Sequence, residues 1–333
     1  MRSCKILSLM LLATMFFGCS DNVESKESGA DDYEERLGRV YDQAEGAIRI
    51  ALKERGVREG FDKSRGTITA VAVCAFDSDD EFRKAEEKAD FSEEYDFKLP
   101  NGAGTKSQYA FLIWKSYANA LAEIARAIAC YLPVGTDQSK HLMPKRDDSS
   151  DGRQIVASAT QSVKKIKVVE RVFASDGDKA FAVAMALQSG LGKNEGRRVE
   201  GSMTLREWVR ELCDNSLLGP ASYVDSDGIS WNAGVVLVDE TLGKTGKAWS
   251  DQLAYRFAAT MKGAEVMSYM SASKMVEDHG DDDYAIRERM ETKVNIRPNV
   301  SVDPNSQNVR WMTINAENPI FGAVQYRVCA IQD

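Results

Sequence analysis

Histidine and cysteine are the side chains in this sequence best suited to nucleophilic or zinc chemistry, and both are scarce. The chain of 333 residues contains two histidines, His141 and His279, and six cysteines. A zinc site needs three or four closely spaced ligands, and no such group of histidines and cysteines occurs. A nucleophilic dyad would have to form in space, from Cys213 or Cys130 with His141. The sequence therefore predicts no catalytic residue, no cofactor site and no metal site.

Acidic residues cluster in two places where a cation could bind. The stretch Asp278–Asp283 surrounds His279; its polarity is typical of a solvated loop, with a divalent-cation-responsive site as the alternative. Residues Asp225 to Gly228 begin like a calcium loop, but the EF-hand pattern places glycine sixth and glutamate twelfth. Here glycine is fourth and the twelfth residue is Val236, so the pattern favours a β-turn.

Patterns for nucleotide binding and for serine hydrolysis are missing from the sequence. The remaining candidates for ligand binding are tryptophans that could line a groove, although aromatic residues at helix and strand positions lie more often in a core. These tryptophans are Trp208, Trp231, Trp249 and Trp311. The sequence alone does not separate core tryptophans from binding ones.

The charge of the chain excludes one class of partner. The net charge is −8, and residues 1–18 contribute +2 through Arg2 and Lys5, so the remainder carries −10. An acidic chain without a basic stripe lacks the electrostatic footprint for nucleic acid. Anionic lipid headgroups would repel it as well, so charge would not hold it at a membrane.

Four cysteines follow the N-terminal segment, and each lies in an apolar run without a C-x-x-C pair: Cys74, Cys130, Cys213 and Cys329. Their even number permits disulfides in an oxidising compartment. The apolar surroundings favour buried, unpaired thiols instead.

The N-terminal segment has the three-part pattern of a secretory signal. Arg2 and Lys5 precede an apolar run from Ile6 to Phe17, which is too short to span a bilayer permanently. The ending Phe-Phe-Gly-Cys resembles the lipobox of bacterial lipoproteins. The resemblance implies that residues 1–18 are removed and that Cys19 carries diacylglycerol and a further acyl chain, which together anchor a protein stably. An ordinary cleaved signal or a short buried helix is the alternative.

Composition divides the rest of the chain. Residues 19–36 are acidic, with almost no large apolar side chain, and are expected to form a solvated tether. Two modules follow, at 37–145 and 154–333, separated by a polar, turn-rich stretch within 135–153. The segment 77–107 is highly charged and is expected to be an exposed insertion.

Hydrophobic periodicity predicts the elements of both modules. For the first module these are a helix at 37–55, a strand at Thr67–Phe76 and an Ala-rich helix at Tyr109–Leu132. For the second they are a hairpin of Lys164–Phe173 and Ala180–Gln188, a helix after a capping box at Thr204, a strand at Ala233–Val238, a long Ala-rich helix over 251–278 with Ser250 as its cap, a charged link at 277–290, and a final hairpin of Val309–Ile314 and Val324–Ile331.

The two long predicted helices suggest an internal duplication. Tyr117 and Tyr131 stand fourteen residues apart, as do Tyr255 and Tyr269, with Ala-rich sequence between them. Each helix follows an apolar strand. We therefore predict an α+β protein of two related modules, each a small, mainly antiparallel sheet covered by a long Ala-rich helix.

Several segments together resemble a group of bacterial envelope lipoproteins of unknown function. They are the lipobox, the residues KERGVREGF at 53–61, the Ala-rich helix, the turn DSDGISW and the closing segments NPIFG and YRVCAI. The strand and Ala-rich helix are similar to small domains of outer-membrane lipoproteins and flagellar-assembly accessory proteins. The resemblance covers most of residues 45–333 and carries over no catalytic residue.

The resemblance implies a lipid-anchored cell-envelope protein, with the outer membrane favoured over the inner and the folded part periplasmic or surface-exposed. We expect a non-enzymatic role in binding a protein or envelope glycan, or in self-assembly. The alternative is an envelope hydrolase with a site between the modules, where Cys213, His141 or His279 would meet a carboxylate.

Overall fold

A computed structural model describes residues 27–77, 97–131, 145–147, 153–177, 179–190, 201–278, 284–299 and 301–333. Its helices are α1 (Glu27–Glu54), α2 (Thr105–Tyr131), α3 (Leu205–Asp214) and α4 (Gly243–Lys262). Its strands are β1 (Gly60–Asp62), β2 (Thr67–Asp77), β3 (Lys145–Asp147), β4 (Arg153–Lys164), β5 (Ile166–Asp176), β6 (Ala180–Gly190), β7 (Gly219–Val224), β8 (Ser230–Leu237), β9 (Gly263–Asp278), β10 (Tyr284–Pro298), β11 (Val309–Asn318) and β12 (Gly322–Gln332). The strand pairs of these residues are antiparallel, which confirms the α+β class.

Sheet 1 has the strand order β1-β2-β6-β5 and lies between α1 and α2. Successive side chains of a strand point to opposite faces, and β6 buries both sets because each face carries a helix. Large side chains pack toward α2 and alanines toward α1: Phe181, Val183, Met185 and Leu187 on the first face, and Ala182, Ala184 and Ala186 on the second. The alanines let α1 approach the sheet closely.

Sheet 3 has the strand order β7-β8-β12-β11, with α4 on one face. Gly234 of β8 faces α4, and a Cβ there would lie 2.1 Å from the carbonyl oxygen of Ala254 and 2.7 Å from the Cβ of Phe257. Only glycine allows this close approach. The short helix α3 packs on the opposite face, where its Trp208 stacks on Tyr223 of β7 at 5.1 Å.

Sheet 2 has the strand order β3-β4-β9-β10, and one end of it packs against α2 and α4. Val163, Val266 and Ile296 are buried there, one from each of the three longer strands. Arg126 of α2 donates a hydrogen bond to the hydroxyl of Ser268 at 3.0 Å. Sheet 2 is thus fixed to the helices at the end nearest them.

Helices α2 and α4 join the sheets into one core. The hydroxyl of Tyr117 in α2 donates to the hydroxyl of Thr260 in α4 at 3.1 Å. The rings of Trp114 and Tyr117 meet Phe257 edge-on, at centroid distances of 5.4 and 5.6 Å. Such aromatic pairs add to the burial energy of the rings.

The helix predicted over 251–278 is wrong in its second half. α4 ends at Lys262, and residues from Gly263 onward form strand β9. Ser250 is not the helix cap, because it lies inside α4 and its hydroxyl donates to the carbonyl of Leu237. Beyond Gly263 burial alternates with period two, as in a strand rather than a helix: Ala264, Val266 and Ser268 are buried, whereas Glu265 and Met267 are exposed.

The charged link predicted at 277–290 is also wrong where the structure describes it, because Tyr284 begins strand β10. The tether predicted at 19–36 is wrong for residues 27–36, since α1 begins at Glu27 and the side chains of Tyr33 and Arg36 are buried. Residues 19–26 lie outside the described part. The predicted signal at 1–18 and Cys19 lie outside the described residues.

The predicted division between residues 145 and 154 does not separate the sheets. β2 pairs with β6 along its whole length, from Thr67 opposite Gly190 to Asp77 opposite Ala180. Sheet 1 therefore takes strands from both sides of that division. In the predicted insertion, residues 78–96 lie outside the described part.

The end of the predicted insertion is not exposed. Phe97 is buried, with ring centroids 6.0 Å from Trp114 and 5.4 Å from Trp249. The segment therefore returns to the core before α2 begins.

Candidate functional site

The thiols of Cys213 and Cys329 lack the character of nucleophiles. Cys213 and Cys329 are buried, free cysteines, which confirms the prediction for these two, whereas Cys74 is half-buried and accepts a hydrogen bond from Asn119. Burial raises the pKa of the Cys213 thiol to about 12, and it raises that of Cys329 to about 12. A nucleophilic cysteine needs a lowered pKa, so neither residue suits the predicted hydrolase alternative.

The predicted partners of such a nucleophile cannot be placed. His141, His279 and residues 279–283 lie outside the described part of the chain. Within the part that the structure describes, no group of three or more histidine, cysteine, aspartate or glutamate side chains could hold a metal ion.

Asp225 is a buried carboxylate that organises the β7–β8 turn. It accepts hydrogen bonds from the indole of Trp231 at 2.7 Å and from the backbone N–H of Ile229 and Asp227. Burial alone would raise the pKa of Asp225, but these hydrogen bonds outweigh it and lower the pKa below its ordinary value. The β-turn interpretation is confirmed.

Asp239 performs a second structural role, just after β8. Its carboxylate accepts from the N–H of Gly104 at 3.0 Å and from the hydroxyl of Ser107 at 2.9 Å. It thereby caps the N-terminus of α2 from the other half of the chain. Despite burial, bonds from Thr241, Ser107 and Gly104 lower the pKa of Asp239, so it is an ionised acceptor rather than a general acid.

Three of the four candidate tryptophans belong to the core, because Trp208, Trp231 and Trp249 are 6–7% exposed. Trp311 of β11 is half-buried, and its indole donates to the carbonyl of Pro304 at 3.0 Å. Trp311 is the one of the four that is not fully buried, and it lies on strand β11.

An open groove of about 600 Å³ lies between α3 and β11. α3 is positioned by its capping box, in which Thr204 accepts from the N–H of Glu207 and the Glu207 carboxylate accepts from the N–H of Thr204. Its apolar side packs on sheet 3, and its charged side faces the groove. The groove is lined by Arg206, Glu207, Arg210, Glu211, Asp214, Asn215 and Ile314.

Strand β11 forms the rim of this groove and the outer edge of sheet 3. Its ten residues pair with β12 in unbroken register, from Val309 opposite Ile331 to Asn318 opposite Gly322. The N–H of Gln332 donates to the carbonyl of Asn308, so even-numbered positions along β11 direct their backbone groups toward β12.

The odd-numbered positions of β11 point their N–H and C=O groups away from the sheet. No hydrogen bond from a described residue reaches these backbone groups at Trp311, Thr313, Asn315 or Glu317. Val309 differs, since its N–H donates to the carbonyl of Ser306. The strand contains no proline and no bulge, which are common devices against edge pairing.

Sequence reasoning predicted β11 as a strand but missed its open edge. The usable signal was the regular alternation of VRWMTINAE without proline or lysine. Which side of the strand stays unpaired depends on strand order, and the sequence does not state that order.

Comparison with family models, with curated proteins and with solved structures gives no match to this chain. Among the described helices, none is long and apolar enough to cross a bilayer. The site must therefore be interpreted from its own geometry.

Proposed function

We propose that this protein is a lipid-anchored cell-envelope protein with a non-enzymatic binding or assembly role, and that the groove between α3 and β11 is its contact surface. The observation that carries the proposal is the unpaired edge of β11 beside an open groove. An exposed strand edge binds another extended chain through its backbone, and an adjacent groove receives the side chains of that chain.

The chemistry of the described residues agrees with binding rather than catalysis. The buried thiols have raised pKa values, and the buried carboxylates Asp225 and Asp239 are engaged in a turn and a helix cap. The anchor rests on the N-terminal pattern that ends at Cys19. Lipid on Cys19 would hold this acidic chain at the membrane, and the partner would be a protein or an envelope glycan.

We also propose that the chain consists of two related modules. Sheet 1 and sheet 3 share a strand order, β1-β2-β6-β5 and β7-β8-β12-β11. In each sheet, the second strand of the first hairpin pairs with the second strand of a later hairpin. A long helix follows the second strand in each, and a further helix precedes the first strand and packs on the opposite face. We therefore propose a division near 191–204, in place of the one between 145 and 154.

The test compares three forms of the chain in native envelopes: the natural chain, Cys19→Ala and Asn315→Pro. The residue at 315 directs its N–H away from β12, so proline there removes an outward donor without removing a bond of the β11–β12 ladder. We expect Cys19→Ala to leave the membrane fraction, and mass spectrometry to find acyl chains on Cys19 of the natural chain.

Chemical cross-linking in the same envelopes reports the contact surface. The proposal expects a cross-linked adduct through α3 or β11 that Asn315→Pro abolishes and Asn315→Ala retains. Adducts that form equally well with Asn315→Pro would contradict the proposed contact surface. A natural chain found in the soluble fraction would contradict the proposed anchor.

A further inference from the structure

We propose that the open edge of β11 pairs antiparallel with β11 of a second copy of this chain, and that two copies of sheet 3 thereby form one continuous eight-stranded sheet. This inference rests on the proposed function and names the partner of its contact surface. It follows from the hydrogen-bonding phase of the strand, from the side chains that the phase brings together, and from the charges of α3.

The phase of the backbone selects one register. Outward groups lie on Trp311, Thr313, Asn315 and Glu317, and two-fold pairing about Ile314 matches Trp311 with Glu317 and Thr313 with Asn315 of the second copy. Every outward residue then belongs to a hydrogen-bonded pair, in which each exchanges both N–H···O bonds.

The neighbouring registers use the edge less completely. A two-fold axis at Thr313 pairs Glu317 with Val309, whose N–H already donates to Ser306. A shift by a single residue would place side chains of opposite faces against each other. A two-fold axis at Asn315 pairs Trp311 with Pro319, which has no N–H to donate. The axis at Ile314 is therefore the register that satisfies the edge.

The side chains on the α3 face agree with this register. Ile314 meets its own copy at the axis, and Met312 lies opposite Ala316 of the second copy. All three are half-buried in the single chain, so pairing removes apolar surface from water on both copies. No like charges lie directly opposite in this register.

The groove side of α3 carries charges of both signs. Each α3 presents two arginines and three acids at the groove: Arg206, Arg210, Glu207, Glu211 and Asp214. In the two-fold arrangement the two helices lie on the same face of the joined sheet, on either side of the axis. Cations of one copy can therefore meet acids of the other.

A foreign peptide added to the same edge is the competing occupant. A peptide needs only the outward backbone groups, whereas the second copy also explains why the edge is complementary to itself across Ile314. The two occupants give different results in a cysteine test.

The test places a single cysteine at the axis of the full chain in native envelopes. At a non-hydrogen-bonded antiparallel pair the Cα atoms lie about 4.5 Å apart, within the range for a disulfide. We expect Ile314→Cys to form a disulfide-linked dimer on mild oxidation, seen on a non-reducing gel. Thr313→Cys is the matched control, because its diagonal separation of about 7–8 Å is too long for a bridge.

The natural chain is the control for disulfides that its own cysteines form. A second measurement avoids new thiols: light scattering of the detergent-solubilised chain gives the dimer dissociation constant. We expect Asn315→Pro to raise that constant by at least about tenfold, since two interchain N–H donors are lost, and Asn315→Ala to leave it nearly unchanged.

Equal cross-linking of Ile314→Cys and Thr313→Cys, or a natural chain that stays monomeric at about 100 μM, would overturn the pairing, since a micromolar dimer would be well populated there. If Asn315→Pro still abolished a cross-linked adduct with a different molecule, the proposed contact surface would stand and only the identity of its occupant would change. If Asn315→Pro left that adduct unchanged as well, both the pairing and the proposed contact surface would be overturned.

Discussion

Strands β5 and β11 hold the same place in their sheets, yet one edge is closed and the other is open. β5 carries a bulge at Val169, and Arg171 donates from its guanidinium to the carbonyl of Leu218 at 2.5 Å, just before β7. β7 itself lies against β5. β11 has neither a bulge nor a described strand at its outer side. Of these two edges, therefore, only that of β11 is available to pair with another chain.

The helices over these strands differ in the same sense. α1 has 28 residues and packs along β5, β6 and β2, whereas α3 has 10 residues and leaves Ile314 half-buried at the groove. The long helix α1 therefore covers β5, whereas the short helix α3 leaves part of β11 exposed at the groove. The difference shows that strand order alone does not decide which edge of a sheet is available.

The largest expected effect tests whether the two halves fold as one unit. Phe181 of β6 is fully buried, and its ring lies 5.3 Å from Tyr109 and 6.0 Å from Phe321 in the β11–β12 turn. We expect Phe181→Ala to lower the free energy of unfolding by about 3–5 kcal/mol, because it leaves a cavity. Urea unfolding measures this loss.

Hydrogen exchange in β12 then reports whether the other half shares the loss. Protection of β12 should fall together with that of β6. Protection in β12 that stays at the natural level would show that the halves unfold independently. Phe61→Ala, at an exposed ring, is the control with a much smaller expected effect.

The second prediction opens the closed edge. Burial lowers the pKa of Arg171 to about 10 against the attraction of Glu170, and its hydrogen bond satisfies a carbonyl between two sheets. We expect Arg171→Ala to cost about 2–3 kcal/mol, as typical for a lost charged hydrogen bond with lost packing. Thermal or urea unfolding checks it, with exposed Lys167→Ala as control. Equal stability of both variants would mean that Arg171 does not seal β5.

The third prediction concerns alkaline pH and the half that carries β11. The folded pKa values of Cys213 and Cys329 are raised, so the stability they provide is complete below the unfolded pKa of 9.0 and declines between pH 9 and about 12. We expect a loss on the order of 1 kcal/mol per thiol between pH 9 and pH 10. The double variant Cys213→Ala, Cys329→Ala should show a flatter pH dependence in urea unfolding; an unchanged slope would contradict the assignment.

The smallest expected effect loosens the wall of the groove. Thr204→Ala removes the capping hydroxyl of α3 and should cost about 1 kcal/mol, whereas Thr204→Ser should retain most of the cap. Hydrogen exchange at the first turn of α3 should rise in the alanine variant alone. If both variants exchanged equally, the hydroxyl would not hold α3 in place.

Local sequence predicted the elements well where one rule acted alone. The hairpin of β5 and β6, the capping box at Thr204 and the closing hairpin of β11 and β12 all occur as expected. Each depends on residues close in sequence. The boundaries of α2 differ from the prediction at the N-terminal end, because Asp239 supplies a cap from far along the chain.

The equal tyrosine spacing misled the prediction of a duplication. Tyr117 and Tyr131 both lie in α2, but Tyr255 lies in α4 and Tyr269 in β9. The Ala-rich composition after Gly263 permitted a helix, and pairing with β4 and β10 imposed a strand. The case for related modules now rests on strand order instead.

By itself the sequence determined the α+β class, the acidic charge, the buried thiols of Cys213 and Cys329 and most hairpins, because propensity, turn residues and periodicity act over short distances. Only the tertiary structure decided that β2 pairs with β6 and that β5 is sealed by Arg171 while β11 keeps an open edge. Such outcomes depend on which distant strands compete for the same hydrogen bonds and apolar surface, and no local pattern records that competition.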